Sequence, residues 1–156
     1  MNQDVTVALQ EILDRDKIAD LIHRYCFALD HGSVEDVMAL FAPECAVHLI
    51  PGRTFENRDA VHEFYSKLIR HRMSLVRHTV HNLVIELNGD LATAKSYWDV
   101  KGDLRSQAVV LGGYYADQVN KRHGAWLFSE REIRIEFAAP LAEGWGGEPK
   151  IKIRAV

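Results

Sequence analysis

Three residues carry the chemistry that this sequence could do. His78 lies in the run Val76-Arg77-His78-Thr79-Val80-His81-Asn82, Asp30 closes the segment 17–30, and Tyr25 lies on that same segment. An imidazole can accept a proton, a carboxylate can hold the imidazole in one tautomer, and a phenol can donate to an oxygen that gains charge. No other part of the chain offers so complete a set.

Each of the three also has a plainer reading. Asp30 sits where a helix presents its negative end, a placement that costs about 0.3–1 kcal/mol, and it lies well round the helix from the apolar stripe. It would serve equally as the solvated first residue of a turn with His31-Gly32. His81 competes with His78, because strand residues three apart face opposite ways unless a bulge intervenes. His81 shares alternation with Leu83, Ile85 and Leu87, so alternation alone favours His81 as the inward residue. Tyr25 falls on the apolar stripe, where a ring fills core and its hydroxyl must find a partner. Arg131 and Arg134 fall on opposite faces of the last strand, and either could meet a ligand. Arg134, among Ile133, Ile135 and Phe137, is the more unusual of the two.

The elements that must position these groups follow from periodicity. Ile18, Leu21, Ile22, Tyr25 and Leu29 recur at helical spacing. Gly32 offers a left-handed stop, and Ser33 caps a second helix through Val37, Leu40 and Phe41, ended before Pro43. Residues 46–50 read as a short strand and 59–73 as a third helix. Four strand-like runs follow, at 76–87, 92–104, 108–120 and 125–137, joined by polar or glycine-containing turns. Gly112-Gly113 predicts a bulge or sharp bend. Helices first and a long antiparallel meander afterwards predict an α+β fold, with the helices packed on the concave face of a curved sheet. One domain spans 1–156, with a core at about 10–140 and an arm at 141–156 whose Ile151-Lys152-Ile153 alternates like an edge strand.

Composition narrows the function. The chain has 156 residues, 47% of them hydrophobic, and a net charge of −3 with both signs interspersed, so a nucleic-acid partner is not expected. There is no apolar run of about 20 residues to span a bilayer, and the opening residues lead us to expect no secretory signal. Two cysteines, Cys26 and Cys45, without a paired spacing fit a cytoplasmic setting. The histidines His71, His78 and His81 lack cysteine partners or an H-E-x-x-H helix, so no metal is expected. A glycine-rich phosphate loop is also missing, and no cofactor is expected. Cys26, beside the stripe, reads as core rather than nucleophile. The apolar residues Val109, Leu111 and Tyr115, placed on the outer sheet face, would favour self-association.

The segment from Ile18 to Gly32 resembles the opening helix of SnoaL-like domains of the nuclear transport factor 2 superfamily. So does the continuation Val37-Met-Ala-Leu-Phe41-Ala-Pro43. Arg77-His78, Gly112-Gly113-Tyr114-Tyr115 and Gly124-Ala125-Trp126-Leu127-Phe128 extend the similarity over about residues 10–140. The resemblance implies a cone-shaped α+β barrel with a deep apolar pocket. Tyr25, Asp30 and His78 match, in order and spacing, the Tyr, Asp and His of the family's bile acid dehydratases. The Asp–His pair is also similar to that of its scytalone dehydratases and hexachlorocyclohexane dehydrochlorinases. The resemblance therefore implies His78 as base and Asp30 as its orienting group in one pocket, against the alternation argument for His81. Arg134, aligned with a pocket arginine, together with His81 and Tyr115, then stands as substrate-binding. The implied activity is a cofactor-independent elimination on a hydrophobic cyclic molecule, with steroid-type isomerisation or binding alone as alternatives. The implied assembly is a homo-oligomer, a trimer before a dimer.

Overall fold

The structure is a computed structural model that describes residues 3–143. The expected edge strand at 151–153 lies outside the described residues, as does all but the first part of the expected arm. Helix α1 spans Gln3–His31, far longer than its apolar stripe requires. Only from Asp14 onward does it bury side chains, with Ile18, Leu21, Ile22, Tyr25 and Leu29 packed into the core. Among the described residues no helix is long and apolar enough to cross a membrane.

Gly32 ends α1 for a different reason from the one its residue type suggests. It is not left-handed; a side chain there would strike the Ala28 carbonyl at 2.9 Å and the Asp36 carboxylate at 3.0 Å. That closeness lets Ser33 start α2 (Val34–Met38) at once. Ser33 and Asp36 form a reciprocal capping box, the Asp36 carboxylate accepting from the Ser33 backbone N–H at 2.8 Å and the Ser33 hydroxyl accepting from the Asp36 N–H at 3.2 Å. An aspartate thus does the work usually given to glutamate.

The chain turns extended earlier than expected, in β1 (Phe41–Ile50), followed by the short β2 (Thr54–Phe55). Asn57 caps α3 (Arg58–Arg70), which buries Val61, Phe64 and Tyr65. The meander is β3 (Ser74–Asn88), β4 (Leu91–Leu104), β5 (Gln107–Arg122) and β6 (Ala125–Pro140), closed by a 3-10 turn at Leu141–Glu143. The sheet order is β2-β1-β6-β5-β4-β3, antiparallel except where β1 lies parallel to β6. The fold is therefore α+β, as expected, with α1 laid across the concave face.

Several bulges bend the sheet, and three of them reset which residues point inward. In β3 the register slips between His81 and Val84, where Asn82 takes a positive φ of 51°. In β6 Ser129 is the extra residue opposite Gln118-Val119. Glu136 is the extra residue opposite Gly112-Gly113, the site predicted to bend. After each one the inward set changes parity.

The middle of α1 is tied to the β5–β6 hairpin through Asp14. This buried carboxylate accepts from Trp126 Nε1 at 2.9 Å, Lys121 Nζ at 2.8 Å and Gln10 Nε2 at 3.1 Å. Burial alone would raise its pKa, but these donors and the Lys121 charge outweigh it and leave the group at about 2. A pKa lower folded than unfolded makes stability that is complete above about pH 4 and lost as pH falls toward 2. We expect the wild type to lose about 1–2 kcal/mol more than Asp14→Asn across that window, measured by urea denaturation at a series of pH values.

Candidate active site

The last turn of α1 faces the start of β3. Asp30 is 9% exposed and uses both oxygens on one residue of that strand. Oδ1 accepts from His78 Nδ1 at 2.5 Å, and Oδ2 accepts from the His78 backbone N–H at 3.0 Å. A carboxylate has only acceptors, so Nδ1 is the donor of this bond, and in a neutral ring so held the lone pair lies on Nε2. The helix needs no fraying to bring Asp30 round, since α1 stays regular through His31. The His78 side chain is 15% exposed, so the imidazole is mostly but not fully sheltered.

The bulge at Asn82 explains why His78, and not His81, is inward. Val76, His78 and Val80 share one face; after the extra residue, Leu83, Ile85 and Leu87 take it over. His81 is left on the outer face, where Nε2 meets Asp99 Oδ2 at 3.0 Å and both side chains are 42% exposed. It lines an outer groove of about 420 Å³ with Glu136, Phe137 and the β4 stretch Tyr97-Trp98-Asp99. The expectation that His81 joins His78 in a substrate site is thus corrected. The signal was present: the apolar positions of β3 change parity around an Asn, a residue that tolerates the left-handed backbone.

Tyr25 lies deeper. Its hydroxyl pairs with that of Tyr65 at 2.9 Å, and its ring meets Phe41, Tyr65, Tyr115 and Phe128 edge-on at 5.7–6.3 Å between centroids. Burial raises its pKa to about 12 against the pull of Arg131, so the phenol stays protonated at neutral pH. Tyr115 is inward and buried, stacked on Trp98 with 5.5 Å between centroids. Val109 is buried as well, and Leu111 packs against the core. The outer-face apolar patch expected from these three residues is corrected accordingly.

The arginines exchange places with the expectation. Arg131 has no exposure, forms two bonds to buried Asp117 at 2.8 and 2.9 Å, and has its guanidinium 3.8–4.2 Å from the rings of Tyr25, Tyr115 and Phe128. Burial raises the Asp117 carboxyl to about 6, and Arg131 pulls the other way. Arg134 stands on the opposite face, 41% exposed, bonded to Glu132 at 3.1 Å and 5.2 Å from the Tyr114 ring. The Ser129 bulge causes this, because it shifts the inward set from Trp126 and Phe128 to Arg131, Ile133 and Ile135. Sequence reasoning missed the Asp117 and Tyr65 partners entirely, since the contacts join strand to strand and helix to helix.

Cys26 is buried, and burial pushes its thiol up to about 11, which suits a core residue. Among the described residues no group of three or more His, Cys, Asp or Glu side chains is gathered to hold a metal ion. Removing the Asp117 carboxylate should therefore be far more damaging than removing Arg134. Asp117→Ala leaves a buried unpaired guanidinium and should cost about 3–5 kcal/mol, whereas Arg134→Ala should stay within about 0.5 kcal/mol, both read by denaturant unfolding.

Comparison with known proteins adds family and fold. The SnoaL-like domain family matches residues 10–132. No curated protein sequence matches the chain. Among solved structures, a putative scytalone dehydratase from Novosphingobium aromaticivorans is 22% identical, with 92% of this chain and 97% of that one covered and a TM-score of 0.77. A hexachlorocyclohexane dehydrochlorinase, LinA-type3 from Novosphingobium barchaimii, is 19% identical over 91% and 99% of the two chains, TM-score 0.77. A protein of unknown function with a cystatin-like fold from Nostoc punctiforme is 27% identical over 80% and 92%, TM-score 0.70.

Proposed function

This chain belongs to the SnoaL-like family, and from that membership we propose that it is a cofactor-independent lyase acting on a hydrophobic cyclic small molecule. His78 Nε2 removes a proton from a carbon next to an activating group, and the adjacent leaving group departs. Asp30 holds the ring by Nδ1 and stabilises the imidazolium that forms, the role of the aspartate in a catalytic triad. Water is the leaving group we favour.

The observation that carries the reading is the double use of Asp30. A carboxylate bonded to both the imidazole and the main chain of one residue fixes the ring's position as well as its tautomer. A histidine that merely filled space would not require this, nor repay placing a carboxylate at the unfavourable end of a helix. Solved neighbours described as dehydratase and dehydrochlorinase are in keeping with elimination. The full burial of Tyr25 and Arg131 favours the His78 side of the interior for the reacting carbon.

The test is a panel of hydroxylated cyclic ketones followed by mass spectrometry. Loss of 18 Da marks dehydration, an unchanged mass with a new retention time marks isomerisation, and recovery of every compound unchanged marks a binding domain. With an accepted substrate, His78→Ala should lower kcat by about 10²–10⁴-fold, and Asp30→Asn should also lower it, by misplacing the tautomer. An elimination rate unchanged in His78→Ala would end the assignment.

A further inference from the structure

A base beside an activating oxygen is half of an elimination site; the other half is a donor to that oxygen. The Tyr25 hydroxyl is already engaged with Tyr65, deep among aromatic rings. On the sheet nearest His78 there is a second donor. In the β3–β4 ladder His78 faces Val100 and Val80 faces Trp98, and these side chains share the inner face. Trp98 is therefore the diagonal neighbour of His78, about 7–8 Å away between backbones and within reach of a long side chain.

Trp98 is 4% exposed, and its Nε1–H has no hydrogen-bond acceptor among the described residues. The contrast with Trp126 is internal to the protein, since that indole gives its N–H to Asp14 at 2.9 Å. Buried indole N–H groups ordinarily find a partner, and one left without costs free energy that an arriving acceptor recovers. Ser96, two residues earlier on the same face, has a buried hydroxyl that is likewise unpartnered among the described residues. Stacking on Tyr115, at 5.5 Å and 21° between ring planes, holds the indole in place.

We propose that Trp98 Nε1 is the hydrogen-bond donor to an oxygen of the substrate beside His78, so that the substrate is an oxygenated ring, a cyclic ketone or its enol, rather than a hydrocarbon or haloalkane that lacks a strong acceptor. The inference rests on the reading of His78 as a pocket base. In the reaction the C–H pair next to the carbonyl becomes a C=C bond as His78 takes the proton. The carbonyl pair moves to oxygen, and Trp98 donates to that enolate. The pair then returns, the bond to a β-hydroxyl breaks, and the proton on His78 leaves with it as water. An indole N–H is neutral, which suits an acceptor whose charge develops only in the course of the reaction.

The experiment compares two ligands alike in shape, 1-tetralone and tetralin, by calorimetric titration of wild type and Trp98→Phe, which keeps an aromatic ring for stacking but removes the N–H. Wild type should prefer the ketone by about tenfold, and Trp98→Phe should lose most of that preference with its tetralin Kd unchanged. The infrared carbonyl stretch of bound 1-tetralone should shift to lower frequency in wild type and return in the variant, which a merely structural role would not produce. Equal weakening of both ligands, an unchanged preference in Trp98→Phe, or no ketone preference in wild type, including no binding of either, overturns the proposal. Both readouts are of binding, so their failure leaves the His78 test to stand or fall by turnover.

Discussion

The site depends on one carboxylate placed where helix physics disfavours it. Asp30 lies in the last turn of α1, where the partial negative charge of the helix end opposes it. Two donors from a single strand residue compensate, one from the His78 ring and one from its main chain. Arg72 helps from the other side by donating to the carbonyls of Leu29 at 3.0 Å and Gly32 at 3.2 Å, which brings positive charge to the same helix end. The arrangement joins α1 to β3 by hydrogen bonds just where the strand enters the sheet. Ring, tautomer and helix position are therefore coupled, so that a change in any one is felt by the others.

Bulges decide which residues the interior receives. A strand of strict alternation would have sent His81 inward with Leu83 and Ile85, leaving His78 in solvent. The extra residue at Asn82 lets both halves of β3 contribute apolar side chains to the core while His78 stays among them. The same device in β6 brings Arg131 inside. There it meets Asp117 across the ladder, at the register position directly opposite. Curvature and site composition are thus products of the same insertions, because each both bends the sheet and exchanges its faces.

Much of this was legible in the chain. The apolar stripe of α1, the cap at Ser33, the four long strands and the bend at Gly112-Gly113 each follow from local chemistry. The pairing of Asp30 with His78 was legible only through the family resemblance, because the two are 48 residues apart and alternation argued for His81. Arg134 stands out over Arg131 in the sequence through the family resemblance and its apolar neighbours; the bulge at Ser129 has no residue signature strong enough to be read without the structure. Gly32 teaches a narrower lesson. Its lack of a side chain is used for close approach to Ala28, not for backbone freedom.

The interior has two levels, and their difference bears on chemistry. Around Tyr25, Tyr65, Phe128 and Arg131 the side chains are sealed, and the guanidinium is neutralised by Asp117 with two bonds, while its Nη1 has no partner among the described residues. Such a pair gains little net stability over apolar packing, but losing either partner would strand a charge. It therefore acts as a rigid floor with no net charge to bias a reaction. Around His78 and Trp98 the second ring nitrogen of the imidazole and an indole N–H are not used by the fold, and the His78 side chain keeps 15% of its exposure. Of the two levels, only the one governed by Asp30 combines an unused ring nitrogen with partial exposure, and that is why the proposed chemistry is placed there.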